Sequence, residues 1–356
     1  MLIAGMTDLK EAIVFAEAAE SKWPRSMRMP DGQFVMTYDS GERPPDNEVL
    51  GPVTPRGAAS GIVYRGGKVL AEWGDTTRAD MTFSVAKSFL SLLAGLALGD
   101  GLIGSLDARV AETALDDGFA SEQNKDITWR HLLTQTSEWE GTLFGKEDRI
   151  DHNRVVGLAV AEAPKGTRRQ LRKPGTFYEY NDVRVNRLSL SLLQVFKEPL
   201  PSVLKRRIMD PIGASSGWRW DGYRNSTVTI DGKPTVSVPG GGHWGGGIVI
   251  SARDLALVGL LVAQGGVWNG AQILPKGWTD ELVRPCPVAP FYGLLWWLNT
   301  DRRQFAAASE RSYFALGWGS HIVWIDPDHD LVTVLRWIDR KQAPGFVERL
   351  LAAIAK

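Results

Sequence analysis

Between Ser84 and Leu98 the chain is almost wholly apolar, with a single lysine, Lys87, near its start and Gly99-Asp-Gly101 closing the run. A helix that is greasy on every side must lie inside a domain, walled in by other elements. The rest of the chain has to supply those walls. Before it, Gly61–Gly74 holds two short β runs around Arg65-Gly-Gly-Lys68, a hairpin signal. Three further strand candidates stand near the C-terminus: Leu294–Leu298, Ser320–Ile325 and Leu331–Ile338, with Asp326-Pro-Asp-His-Asp330 turning between the last two. Helical periodicity predicts a first helix over 8–22, starting at Asp8 with Glu11, and a last one over 344–355. A further helix is expected to begin near Ser251, where Ser251-Ala-Arg-Asp254 fits a capping pattern. Residues 24–57 hold six prolines and predict a long surface excursion.

The stretch 105–235 differs from both ends. Helical segments (128–135, 153–163, 183–196 and 201–209) alternate there with polar loops rich in glycine and proline. The expected fold class is α/β (α+β). An antiparallel sheet flanked by helices is built from both termini, 1–104 and 236–356, and a mainly helical domain, 105–235, is inserted between them. The active site is expected at their interface.

Composition narrows the function. Basic and acidic side chains balance at 41 each, so there is no basic excess for tracking a nucleic-acid backbone. The most apolar stretch, Phe89–Leu98, falls far short of the roughly 20 residues that span a membrane. One cysteine, Cys286, cannot form an internal disulfide. The first residues lack a basic stretch followed by an apolar one, and a cytoplasmic location is expected. His131, His152, His321 and His329 show no metal-ligand spacing, so no metal or other cofactor is expected. A homodimer is left open.

Three serine motifs compete for a nucleophile. Gly213-Ala-Ser215-Ser-Gly217 fits G-x-S-x-G, but the strand and helix that a nucleophile elbow needs do not flank it. Ser202-Val-Leu-Lys205 lies in a surface helix that continues into Arg206-Arg207. Ser84-Val-Ala-Lys87 opens the apolar helix. There the Ser84 N–H is one of the unpaired donors of the first turn, available to an oxyanion. Lys87, one turn on, faces the same side, and apolar surroundings favour the neutral amine that can take a proton. Gly240–Gly247 satisfies G-x-G-x-x-G in form, without the βαβ unit and acidic residue of a dinucleotide site.

At these residues the sequence resembles the serine β-lactamase and penicillin-recognising family, in particular its class C-like esterase and amide-hydrolase branch, from about residue 55 to the end. The resemblance puts the family's S-x-x-K on Ser84 and Lys87 and implies a β-lactamase-like fold. It puts the second motif, Tyr-x-Asn, on Tyr180-Asn181-Asp182, within Lys173-Pro-Gly-Thr-Phe-Tyr-Glu-Tyr-Asn-Asp-Val183; Leu132-Leu-Thr-Gln-Thr-Ser137 matches a further family segment. Asp182 departs from the usual Asn: a carboxylate there would pair with Lys87, hold it charged and shift proton shuttling to Tyr180. The third motif falls on Ala315-Leu-Gly317-Trp-Gly319, without the usual Lys or His. Gly317 would let substrate lie close to the strand, and Trp318 would supply the second backbone donor to the oxyanion.

The resemblance thus implies a serine hydrolase that cleaves a small-molecule carboxylic ester or amide through an acyl-enzyme. Ser84, Lys87, Tyr180 and the Trp318 amide are its catalytic groups. Asn181 and Asp182 orient Lys87 and the substrate, and Gly317, Trp139, His243 and Trp244 line the cleft. A true β-lactamase or D-Ala-D-Ala peptidase is the enzymatic alternative. A non-catalytic binding protein on the same fold is the alternative of another class.

Overall fold

The computed structural model describes residues 2–28, 48–156, 163–241 and 247–355. Its central sheet has six antiparallel strands: β1 (Ser60–Arg65), β2 (Lys68–Trp73), β3 (Trp297–Leu298), β4 (Tyr313–Gly317), β5 (His321–Asp326) and β6 (Leu331–Arg336). They run in the order β3-β4-β5-β6-β1-β2. Residues from both ends of the chain therefore share one sheet, as the pattern of apolar runs predicts. The turn between β1 and β2 pairs Arg65 with Lys68 and puts Gly66 and Gly67 at φ +57° and +71°. That left-handed pair suits the twist of a two-residue hairpin and favours glycine at both positions.

Every residue of β5 and β6 is buried, so the sheet is covered on both faces. Helix α1 (Leu2–Ala18) packs on the last helix, α5 (Ala343–Ile354), and on β2. Helix α4 (Ala252–Ala263) lies along β1, β5 and β6. Ser251 caps α4: its hydroxyl accepts the Asp254 N–H at 3.0 Å, as the capping pattern implies. Helix α2 (Val85–Gly99) is the apolar segment. It is buried from Val85 through Ala97 between β4 and β5 on one side and α3 (Asp182–Phe196) on another.

Several boundaries differ from the sequence reading. The first helix ends at Ala18, because Glu20 and Ser21 pair instead with the backbone of Ile338 and Trp337. Of 153–163, residues 153–156 are irregular and 157–162 lie outside the described residues. The helix expected over 201–209 is an α turn, Leu200–Leu204, that continues as a π turn, Lys205–Met209. Only Trp297 and Leu298 of the 294–298 run form a strand. Leu295 stands at φ +60° and donates its N–H to Leu133 O, so that run is a buried loop pinned to its neighbours. Of the proline-rich excursion, 29–47 lies outside the described residues.

Candidate active site

Three short strands deliver the start of α2. Asp80–Met81 pairs with Ile248–Ile250, which also pairs with Arg219–Trp220. Thr82 extends the first of these, and both its N–H (2.9 Å) and its hydroxyl (2.7 Å) donate to Ile248 O. Phe83 then takes φ +52°, a costly backbone conformation for a bulky residue, and the chain turns sharply into the helix. Ser84 follows as the N-cap, half-buried, with its side chain free of capping duty. A hydroxyl at the mouth of a buried helix is the local consequence.

Lys87 is 1% exposed, and three oxygens surround its amine. Nζ donates to Ser84 Oγ at 2.8 Å and to Gly240 O at 3.0 Å, and it pairs with Asp182 Oδ1 at 2.5 Å. A hydroxyl, a carbonyl and a carboxylate around one amine match the donor inventory of an ammonium. The aspartate that replaces the usual asparagine thus forms the ion pair that the departure implies. Tyr180, 3% exposed, holds its ring under Lys87 Nζ at 4.8 Å and stacks on Trp297 at 5.6 Å.

The loop that carries Tyr180 is cradled by the Leu132–Ser137 segment. Gln135 accepts the Asn181 N–H at 2.9 Å through its side chain and the Glu179 N–H at 3.1 Å through its carbonyl. Its amide donates to the Tyr292 hydroxyl at 2.9 Å, where burial pushes the phenol well above its ordinary range. Beneath the loop, Glu138 binds Arg169 and Arg184. Burial alone would raise its carboxyl; the two guanidinium groups outweigh that and hold it below the usual range.

Ser84, Tyr180, Trp297, Gly317 and Trp318 share a cleft of about 590 Å³. At Gly317 a Cβ would overlap Thr82 O, so the glycine also admits the backbone that leads to Ser84. Behind this hairpin, His321 is fully buried between Phe83 and Trp337 and accepts Arg336 Nε at 2.8 Å. Burial, reinforced by the Arg336 and Arg56 cations, holds the imidazole well below its ordinary value and therefore neutral.

Not every expected residue reaches the cleft. Asn181 is fully buried; its Oδ1 caps α3 at Arg184 N (3.2 Å), and its Nδ2 donates to Asp148 O (2.9 Å). Trp139 is buried away from Ser84, its indole donating to Gly118 O at 2.7 Å, and it lines a separate polar cavity. His243 and Trp244 lie outside the described residues. In each competing serine motif a key side chain is engaged elsewhere. Ser215 binds the Asp254 carboxylate through its N–H (2.8 Å) and hydroxyl (2.6 Å). Lys205 pairs with Asp210 at the surface.

Arg154 is the residue that sequence reasoning missed. It pairs with Asp182 and with Asp151 and lies over the Tyr180 ring at 5.2 Å. No motif marks it, and its segment read as a helix. Among the described residues no cluster of His, Cys, Asp or Glu could hold a metal ion, and no helix is long and apolar enough to cross a membrane.

Comparison with known proteins fits this geometry. The 6-aminohexanoate-dimer hydrolase of Paenarthrobacter ureafaciens is 28% identical, over 77% of this chain and 70% of its own. Among solved structures, EstCE1, a hydrolase with promiscuous acyltransferase activity, superposes with a TM-score of 0.62 at 16% identity, over 99% of this chain and 100% of its own. A β-lactamase from Mycobacterium bovis does so with a TM-score of 0.59 at 19% identity, over 84% and 95%. The family model described as Beta-lactamase matches residues 54–353, the greater part of the chain, and the protein belongs to that family.

Proposed function

We propose that Ser84 is the nucleophile through which this serine hydrolase cleaves small carboxylic esters and amides. The observation that carries the proposal is the 2.8 Å hydrogen bond between Ser84 Oγ and Lys87 Nζ, with that amine held by Asp182 and Gly240 O. A serine hydroxyl is a weak nucleophile until a neighbouring group takes its proton. An ammonium has no lone pair to take it, so Tyr180, reacting as its phenolate beside Lys87, accepts the proton from Ser84 and later hands it to the leaving group. Lys87 and Arg154 lie 4.8 and 5.2 Å from the Tyr180 ring centre and counter negative charge that develops on its oxygen.

Ser84 Oγ attacks the carbonyl carbon, and the resulting oxyanion is held by the Ser84 and Trp318 amides. Collapse expels the alcohol or amine, which leaves with the proton that Ser84 gave up. Water then enters, gives a proton to Tyr180 and displaces the acyl group as the acid, returning the hydrogen to Ser84. We place this cleft where the segments 1–104 and 236–356 meet the inserted segment 105–235. The likeness to the 6-aminohexanoate-dimer hydrolase from Paenarthrobacter ureafaciens supports amides as substrates, and the likeness to EstCE1, a hydrolase with promiscuous acyltransferase activity, supports acyl transfer from esters. Covalent capture by a fluorophosphonate tests the proposal: Ser84 is expected to take the label, and an active enzyme labelled elsewhere would remove it from the mechanism.

A further inference from the structure

The family match begins at residue 54, yet the segment before it reaches the cleft. Ser21, Lys22 and Trp23 line the cavity beside Ser84 and Trp318. That segment is clamped in place. Arg56, 5% exposed, donates through Nε to Trp23 O (3.0 Å), through Nη2 to Ser21 O (2.9 Å), and through Nη1 to Glu20 (2.8 Å). Ser21 N–H adds a bond to Trp337 O at 2.7 Å. Four anchors on Glu20, Ser21 and Trp23 fix where the Trp23 ring goes.

The ring meets Trp318 edge to face, with centroids 4.9 Å apart at 73°, and lies 6.0 Å from Phe83. Phe83 immediately precedes Ser84, and Trp318 carries the second proposed oxyanion amide. Trp23 is therefore packed on the side chains of Phe83, which precedes one proposed oxyanion donor, and of Trp318, which carries the other. Tyr180 belongs to a different wall, stacked on Trp297. The leaving group must depart toward Tyr180, which protonates it, so the acyl group extends along the other wall.

We propose that Trp23 is a specificity-determining residue: with Trp318 it forms an apolar wall for the acyl chain of the substrate, and it favours medium-length hydrocarbon acyl groups over acetyl. The proposal rests on the Ser84 reading. Each methylene buried against such a wall contributes roughly a fourfold factor, so losing contact with one or two of them lowers selectivity by about four- to sixteenfold.

The test compares p-nitrophenyl hexanoate with p-nitrophenyl acetate on wild type, Trp23→Ala and Trp23→Phe. The hexanoate-to-acetate ratio of kcat/KM is expected to fall about four- to sixteenfold in Trp23→Ala, through a raised KM for hexanoate, and to recover in Trp23→Phe. A ratio that stays at the wild-type value in Trp23→Ala, whatever the absolute rates do, overturns the proposal. Fluorophosphonate labelling of the same samples keeps the two claims apart. Trp23→Ala that is labelled at Ser84 and keeps its ratio sinks the wall alone; wild type that takes no label at Ser84 sinks the serine reading beneath it.

Discussion

Asp182→Asn keeps the shape of the side chain beside Lys87 and removes one charge. In the native protein Asp182 lies between two cations, Lys87 at 2.5 Å and Arg154, in surroundings that leave both Lys87 and Asp182 about 2% exposed. The substitution leaves Lys87 with Ser84 Oγ and Gly240 O, and Arg154 with Asp151. At 2.5 Å and an effective dielectric near 20, the lost attraction to Lys87 is ~6–7 kcal/mol gross. The variant no longer has to desolvate a carboxylate, which offsets part of that loss. The expected net cost is ~3–5 kcal/mol, the range found when one partner of a buried pair is removed. Urea unfolding at pH 7, followed by tryptophan fluorescence, reads it. The double variant Lys87→Met/Asp182→Asn is expected to recover part of the loss, since no unpaired ammonium remains. Asp182→Asn within about 1 kcal/mol of wild type would refute the reasoning, because the buried ion pair would then contribute no more than an exposed one.

Two further outcomes are expected. His321 is neutral when folded, so below the ordinary histidine value of about 6.5 only the unfolded chain gains its proton; stability falls as pH drops from 7 to 5, by up to ~1.4 kcal/mol per unit. His321→Gln is expected to remove that share of the slope in urea titrations, while His131, shifted the same way by burial, contributes equally to both proteins; an unchanged slope would mean that His321 protonates in the fold. Gly241 stands at φ +92°, and a Cβ there would overlap Phe83 O beside Ser84 N. Gly241→Ala is therefore expected to lower kcat by about 100-fold with its circular dichroism retained, and an undiminished kcat would contradict the placement of this loop.

What the sequence made legible follows from which interactions are local. Ser84 and Lys87 share one helical turn, so their meeting needs only the helix to form. The Lys87–Asp182 pair was legible because a carboxylate at an asparagine position leaves a charge that a buried lysine can match. The sheet could be read from apolar runs at both ends with turns between them. Side-chain direction in irregular segments could not. Asn181 lies within a motif and Trp139 just beyond one, yet their polar atoms are committed to Gly118, Asp148 and Arg184. Arg154 and Trp23 reach the cleft from segments without a motif, through contacts set by tertiary packing alone. The Leu294–Trp296 run is apolar because it is buried in a loop, a pattern that periodicity cannot tell from a strand.

The most direct test of the central claim is peptide mapping by mass spectrometry after fluorophosphonate treatment of the folded enzyme, beside Ser84→Ala. One phosphonyl adduct on the peptide that contains Ser84, with ester hydrolysis lost in step and no adduct on Ser84→Ala, is the expected result. An adduct confined to another serine, or a Ser84→Ala variant that hydrolyses esters at the wild-type rate, would contradict it.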